Sequence, residues 1–263
     1  MMNTRRGSAA SLGPIVGRLI SLATAGAAEN MAIDQAILDS VTRTGVPVLR
    51  FYQWAEPTLS LGYFQELAAR AAHVQSDSIC CVRRTTGGGA IVHDQELTYS
   101  VTIPVPPGSA GPRSVLYEQT HAAIAEALAN FGAQAVPFRC TGLEPPSESR
   151  NSQFLCFQRR TAEDLIVSGY KVLGSAQRKS RTAVLQHGSL LLCTSLYAPQ
   201  IPGVSDLLSR PLNVEQLVPQ IVANLSEKLG VDWQLGTLSD EEVYDAEQIR
   251  RERFDSPLWT TRR

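Results

Sequence analysis

The sequence predicts an α+β fold in which helices flank a mostly antiparallel sheet, and three observations carry that reading. Period-two, strand-like runs crowd the middle of the chain, a helical period is inserted once among them at 114–131, and helical signals return after Asn213. No repeat or long linker interrupts the pattern. Residues 17–263 are therefore expected to form one domain behind a disordered tail at 1–16, which carries Arg5, Arg6 and small residues but no acid.

Taken in order, Asn30 can cap a helix whose apolar positions Ile33, Ile37 and Val41 recur every four residues. Val48–Trp54 reads as a strand, and Cys80 and Cys81 lie in a short apolar strand-like run where they pack as small hydrophobes. Leu97, Tyr99, Val101 and Ile103 alternate with Thr98, Ser100 and Thr102, the pattern of a half-buried strand ended by Pro104. The helix at 114–131 turns Leu116, Ile124, Leu128 and Phe131 inward and stops at Gly132. Residues 141–152, rich in Pro, Ser and Glu, read as a mobile surface loop leading to Cys156. Ser168-Gly169-Tyr170 between two apolar runs signals a hairpin, and residues 184–192 form another strand. The remainder reads as helical, with Asn213-x-x-Gln216 and Ser239-x-x-Glu242 as helix starts.

Composition narrows the function classes. A net charge of −1, from 24 basic and 25 acidic residues, argues against a broad nucleic-acid footprint. No stretch approaches the ~20 apolar residues of a membrane span, and no secretory signal opens the chain, which points to the cytoplasm. Five cysteines in no ligand pattern fit a reducing compartment, and His73, His93, His121 and His187 have no metal-ligand spacing with them. Basic clusters at Arg178-Lys179-Ser180-Arg181 and Arg262-Arg263 read as solvated faces, the first also as a place to meet an acidic protein.

The most informative stretch is Arg83-Arg84-Thr85-Thr86-Gly87-Gly88-Gly89-Ala90-Ile91-Val92-His93. Three successive glycines suit a backbone that lies against a ligand, its N–H groups aimed at an oxygen and the arginines supplying charge. They equally suit a glycine-rich strand connection beside two surface arginines.

Residues 83–101, the block Gly169-Tyr170-Lys171-Val172-Leu173-Gly174-Ser175-Ala176-Gln177-Arg178 and the block Leu185-Gln186-His187-Gly188-Ser189 resemble, in order and spacing, the lipoate–protein ligase and octanoyltransferase superfamily. Glu29-Asn30-Met31, Leu59-Ser60-Leu61-Gly62-Tyr63-Phe64-Gln65 and Ser256-Pro257-Leu258-Trp259 agree, so the resemblance covers nearly the whole chain. It implies the α+β domain shared with biotin ligases. It also implies attachment of octanoyl or lipoyl groups to a lysine of lipoyl domains or of the glycine cleavage H protein, with octanoyl acyl carrier protein as donor and no nucleic acid or membrane involved.

By that resemblance the Gly87, Gly88 and Gly89 backbone lines an acyl slot, with Arg84 and His93 on the same motif, His93 being a possible general base or a structural histidine. Gly174, Ser175, Gln177, Gln186, His187 and Gly188 complete the pocket. Lys171 stands where the family carries an essential lysine; burial would lower its pKa toward neutrality, and beside a thiol it would favour the thiolate. On residue type alone it could be a lysine snorkelling from an edge strand. Cys156, 15 residues earlier, marks the cysteine-dependent octanoyltransferases of the ligase-like branch, whereas residue type alone would make it a packing cysteine. Gln158-Arg159-Arg160 depart from the smaller or acidic residues expected there. A transferase working through Cys156 needs no cofactor; a lipoate ligase would use ATP and Mg, and a noncatalytic acyl- or carrier-binding module would need no turnover at all.

Overall fold

A computed structural model of the protein describes residues 15–107, 113–144 and 154–263. The expected tail lies outside the described residues up to position 14, as does most of the expected mobile loop, and Ile15 and Val16 already belong to a strand.

In chain order the strands are β1 (Ile15–Ala25), β2 (Val48–Trp54), β3 (Thr58–Leu61), β4 (Cys80–Arg83), β5 (Ile91–His93), β6 (Glu96–Pro104), β7 (Val136–Pro137), β8 (Leu165–Val167), β9 (Tyr170–Lys179), β10 (Ala183–Leu191) and β11 (Val231–Gly236). The α-helices are α1 (Ala27–Thr44), α2 (Arg113–Asn130), α3 (Val204–Leu208), α4 (Val214–Leu229), α5 (Asp240–Ile249) and α6 (Pro257–Thr260), with a π-turn at Arg250–Phe254 after α5. Among the described residues the large sheet runs β11-β1-β2-β6-β10-β9-β8-β7, and β4-β3-β5 form a small one beside it. Pairing is antiparallel from β2 to β7 and parallel where β1 meets β2 and β11.

The two faces of the large sheet have different chemistry. Leu49, Phe51, Leu97, Tyr99, Val101, Leu173, Val184 and Leu190 pack with Leu116, Ile124 and Leu128 of α2 and Leu217, Ile221 and Leu225 of α4 in the main core. Directly paired residues share a face. Tyr52, Thr98, Ser189 and Gly174 therefore make one row across β2, β6, β10 and β9, and Arg50, Ser100, His187 and Ala176 the next. This second, polar face is covered by α1, whose Asp34 accepts hydrogen bonds from Arg50, Tyr52 and Ser100.

Several sequence expectations need correction. Strand β6 is buried on both sides, not half-buried, because its hydroxyl residues face other parts of the protein and not solvent: Ser100 donates to Asp34 of α1, and Thr98 accepts from Trp54. Asn30 lies inside α1, behind an N-cap at Gly26; its amide donates to the carbonyls of Ala25 and Gln53 and ties the helix to β2. Val231–Gly236, read as helical, is a strand, and β1 went unread. The remaining signals match: Ser168 and Gly169 take φ of 48° and 84° in the β8–β9 turn, and Asn213 and Ser239 accept capping bonds from the N–H of Gln216 and Glu242. Among the described residues no helix is long and apolar enough to cross a membrane, and no group of three or more His, Cys, Asp or Glu could hold a metal ion.

Candidate active site

On the polar face a narrow pocket, with about 420 Å³ of space between atoms, opens between the glycine loop and strands β9 and β10. Gly87, Gly88, Arg84 and Cys156 line it near one wall; Gly174, Ser175, Ala176, His187 and Gly188 form another, and Met31, Tyr52, Trp54, His93 and Thr98 lie on the β2–β6 side. The void is mostly apolar with a few polar groups, the composition of a small-ligand site.

The register of the β8–β9 hairpin builds the reactive corner. Ile166 pairs with Lys171, which leaves Asp164, two residues back along the same strand direction, beside the lysine. Lys171 Nζ stands 2.8 Å from Asp164 Oδ2 and 3.7 Å from Cys156 Sγ, and it donates to the carbonyls of Cys156 and Arg159, each at 3.3 Å. Lys171 is 4% exposed. Burial alone would lower its pKa, but the negative charge of Cys156 and Asp164 outweighs burial and raises it above the ordinary lysine value. The expectation of a near-neutral lysine is overturned: Lys171 is an ammonium, a fixed counter-charge beside the sulfur.

Backbone hydrogen bonds hold Cys156 against the glycine loop. Ala90 N–H donates to Phe154 O at 3.0 Å, and Cys156 N–H donates to Ala90 O at 2.7 Å, forming a one-residue parallel bridge. A Cβ at Gly89 would stand 2.9 Å from Cys156 N, so Gly89 serves this approach and not the slot assigned to it. Both arginines are occupied internally. Arg84 donates to the carbonyls of Gly87 and Gly89 at 2.8 Å and to Ser60, and burial lowers its pKa to about 10. Arg83 holds the carbonyls of Gly62 and Thr260. Their charge shapes the loop; the donors expected for a ligand are already engaged.

His93 lines the pocket with both ring nitrogens bonded, Nδ1 to Glu96 Oε1 and Nε2 to Ser60 Oγ, each at 2.7 Å. Burial lowers its pKa although Glu96 opposes this, so the ring is neutral, stacked on Trp54 and without a free nitrogen for general-base work. His187 bridges Asp34 Oδ2, at 3.1 Å from Nδ1, to Thr86 Oγ1, at 2.8 Å from Nε2. Burial would raise the pKa of Asp34, but the His187 hydrogen bond and the Arg50 charge hold it below the ordinary carboxylate value.

Gln177 and Gln186 stand behind the pocket wall. Gln177 donates to Gln186, Gln186 donates to Tyr99 Oη, and Tyr99 meets Ser175 Oγ, which lies 2.7 Å from His121 Nε2. His121 Nδ1 faces the Glu163 carbonyl, so Nδ1 carries the proton and Nε2 accepts from Ser175. Burial lowers the His121 pKa to about 3, with Asp164 opposing and Lys171 adding to the effect. A Cβ at Gly188 would come within 2.2 Å of Ser175 Oγ, which is why this strand position stays bare. Sequence reasoning missed Asp164, Thr86, Tyr99 and His121 as parts of the site. For Asp164 the signal was present, since the hairpin turn at 168–169 fixes its register against Lys171.

The lipoyl protein ligase A/B catalytic domain family matches residues 26–245. Octanoyltransferase LipM of Brevibacillus brevis is 32% identical over 266 residues, covering 90% of this chain and 95% of the relative. That of Kyrpidia tusciae is 31% identical, covering 88% and 94%. Among solved structures, lipoate-protein ligase A bound with ATP superposes at TM-score 0.74 with 22% identity, covering 94% of this chain and 98% of the other. A bi-partite lipoate protein ligase from Thermoplasma acidophilum, from a structural analysis of an archaeal lipoylation system that also covers its E2 lipoyl domain, gives 0.73 and 22%, covering 94% and 96%. At these identities the structures speak for the fold, while the family match spans most of the chain. The protein belongs to the lipoyl protein ligase A/B catalytic domain family.

Proposed function

We propose that the protein is an octanoyltransferase of protein lipoylation that works through a thioester on Cys156. The observation that carries this reading is Cys156 in the lining of the pocket it shares with Gly87 and Gly88, its sulfur 3.7 Å from the Lys171 ammonium. Relatives at about a third identity over most of the chain are octanoyltransferases, which supports octanoyl as the group moved.

The Cys156 thiolate, held by the Lys171 charge, attacks the thioester carbonyl of octanoyl acyl carrier protein. The carrier sulfur leaves and takes up a proton. The amine of a lysine on a lipoyl domain, or on a glycine cleavage H protein, then attacks the Cys156 thioester; its proton goes to the departing Cys156 sulfur and an amide remains. Because Lys171 is already protonated, it stabilises negative sulfur and the tetrahedral oxyanion and does not act as the base. Thioester exchange is nearly thermoneutral and aminolysis runs downhill, so the scheme requires no ATP.

Intact-protein mass spectrometry after mixing with octanoyl acyl carrier protein, without ATP, tests the proposal. An octanoyl adduct that hydroxylamine removes and Cys156→Ala lacks is the expected result. No adduct, together with carrier lipoylation that needs ATP and survives Cys156→Ser, would make the protein a ligase.

A further inference from the structure

The pocket rim carries a surface that this chemistry does not use. Tyr63 and Phe64 follow β3 directly and lie against the glycine loop: Tyr63 N–H donates to Thr86 O at 2.8 Å, and a Cβ at Gly87 would sit 3.9 Å from the Phe64 ring. Phe64 is nonetheless 68% exposed. Three arginines surround these rings. The Arg262 guanidinium lies 4.5 Å from the Tyr63 ring centre and 4.6 Å from that of Trp259, and Arg263 lies 5.5 Å from that of Phe64. Arg178, two residues beyond the pocket residue Ala176 on β9, lies 5.7 Å from that of Tyr63.

All three arginines are exposed, and among the described residues none forms an ion pair with a carboxylate. Their field also reaches inward: burial lowers the pKa of Arg83, and the charges of Arg262 and Arg263 push the same way. The exposed Phe64 ring and the half-buried Tyr63 ring, interleaved with guanidinium groups that form no ion pair, have the composition of a protein-binding hot spot, and the clustered positive charge selects a negative partner.

We propose that this face of Arg178, Arg262 and Arg263 over Tyr63 and Phe64 docks an acidic carrier protein, and that donor and acceptor use it in turn. The proposal rests on the transferase reading, in which one cysteine in one pocket takes the acyl group from one protein and gives it to another. Both proteins must then present their reactive arm through the same opening. A rim that reads carboxylates around the arm, and not a detailed shape, can serve two different partners, and it steers each encounter electrostatically.

Binding to full-length protein carrying Cys156→Ala, which cannot turn over, separates docking from chemistry. Arg262→Glu/Arg263→Glu and, separately, Arg178→Glu are expected to weaken binding of octanoyl acyl carrier protein and of an unmodified lipoyl domain by about tenfold at low salt, the difference shrinking as salt rises. With Cys156 intact, acylation by the small thioester octanoyl-N-acetylcysteamine should keep its rate in these variants. Unchanged carrier binding overturns the proposal. So does an equal loss of the small-thioester reaction, which would make the arginines structural, or binding of phosphatidylglycerol vesicles with no binding of carrier. Salt-dependent carrier binding without any acylation of Cys156 would leave the docking face standing and remove the transferase reading.

Discussion

The Lys171–Asp164 pair decides most at the scale of single residues, because both side chains are at most 2% exposed and each satisfies the other. Lys171→Met leaves a carboxylate buried without a counter-charge. It should cost about 3–5 kcal/mol in chemical denaturation and slow acylation of Cys156 by about 100-fold. Adding Asp164→Leu should restore much of the stability and none of the rate, a split that a purely structural pair would not give. The pH dependence follows from the raised lysine. Its folded value lies above the ordinary 10.5, so the pair's contribution is whole below that pH and is lost only as pH rises through the folded value. Melting curves of wild type and the double variant should therefore stay parallel through neutrality and converge only in strong alkali.

At the scale of elements, the strand–loop crossings make their own predictions. Gly89→Ala must push the Cys156 segment away and should cost about 1–3 kcal/mol while depressing acyl-enzyme formation. At Gly87 the added Cβ meets only the Phe64 ring at 3.9 Å, so Gly87→Ala should change stability by less than about 0.5 kcal/mol. Denaturation midpoints beside acylation rates check both. Most elements were legible because their signals are local: a capping Asn213, a Ser168-Gly169 turn, the four-residue apolar spacing of α1. Strand β1 was not, since only Gly17 and Ile20 are buried along its length and its pairing with β2 and β11 is between distant segments. In β11 the alternation of buried Val231 and Trp233 with exposed Asp232 and Gln234 was readable but lay between two strong helical signals. The glycine loop was found by its letters and Arg84 lines the pocket, yet its bonds to the loop carbonyls and the close approach of Gly89 to the Cys156 backbone went unread, because carbonyls and backbone atoms are partners that no side-chain pattern announces.

Across the whole molecule, one sheet separates two tasks, an apolar face for cohesion and a polar face for the site, and the strand next to its β11 edge is tied down by charge. Arg18 of β1 pairs with Glu242 of α5. Burial would raise the Glu242 pKa, but hydrogen bonds from Arg18 and the Ser239 N–H hold it at about 2 against an ordinary 4.5. A depressed folded value means stability present above pH 4.5 and lost as pH falls toward 2. With Arg18 27% exposed, solvent screening reduces the contribution to about 1–2 kcal/mol. Glu242→Gln should be less stable than wild type by that amount at neutral pH, and the difference should close in acid unfolding between pH 4.5 and 2.

The one-residue bridge between Ala90 and Leu155 also sets Cys156 apart from other thiols of this chain, because it holds that segment against the glycine loop. Burial raises the pKa values of Cys80 and Cys81 and quiets them, and Cys140 stands in the open, where any reagent can reach it. Cys156 alone joins a counter-charge to a slit shaped by glycines. Bulky maleimides should label Cys140 first, whereas a slender electrophile on an eight-carbon tail should find Cys156. Selective covalent capture would then follow from the width of the approach as much as from the sulfur itself.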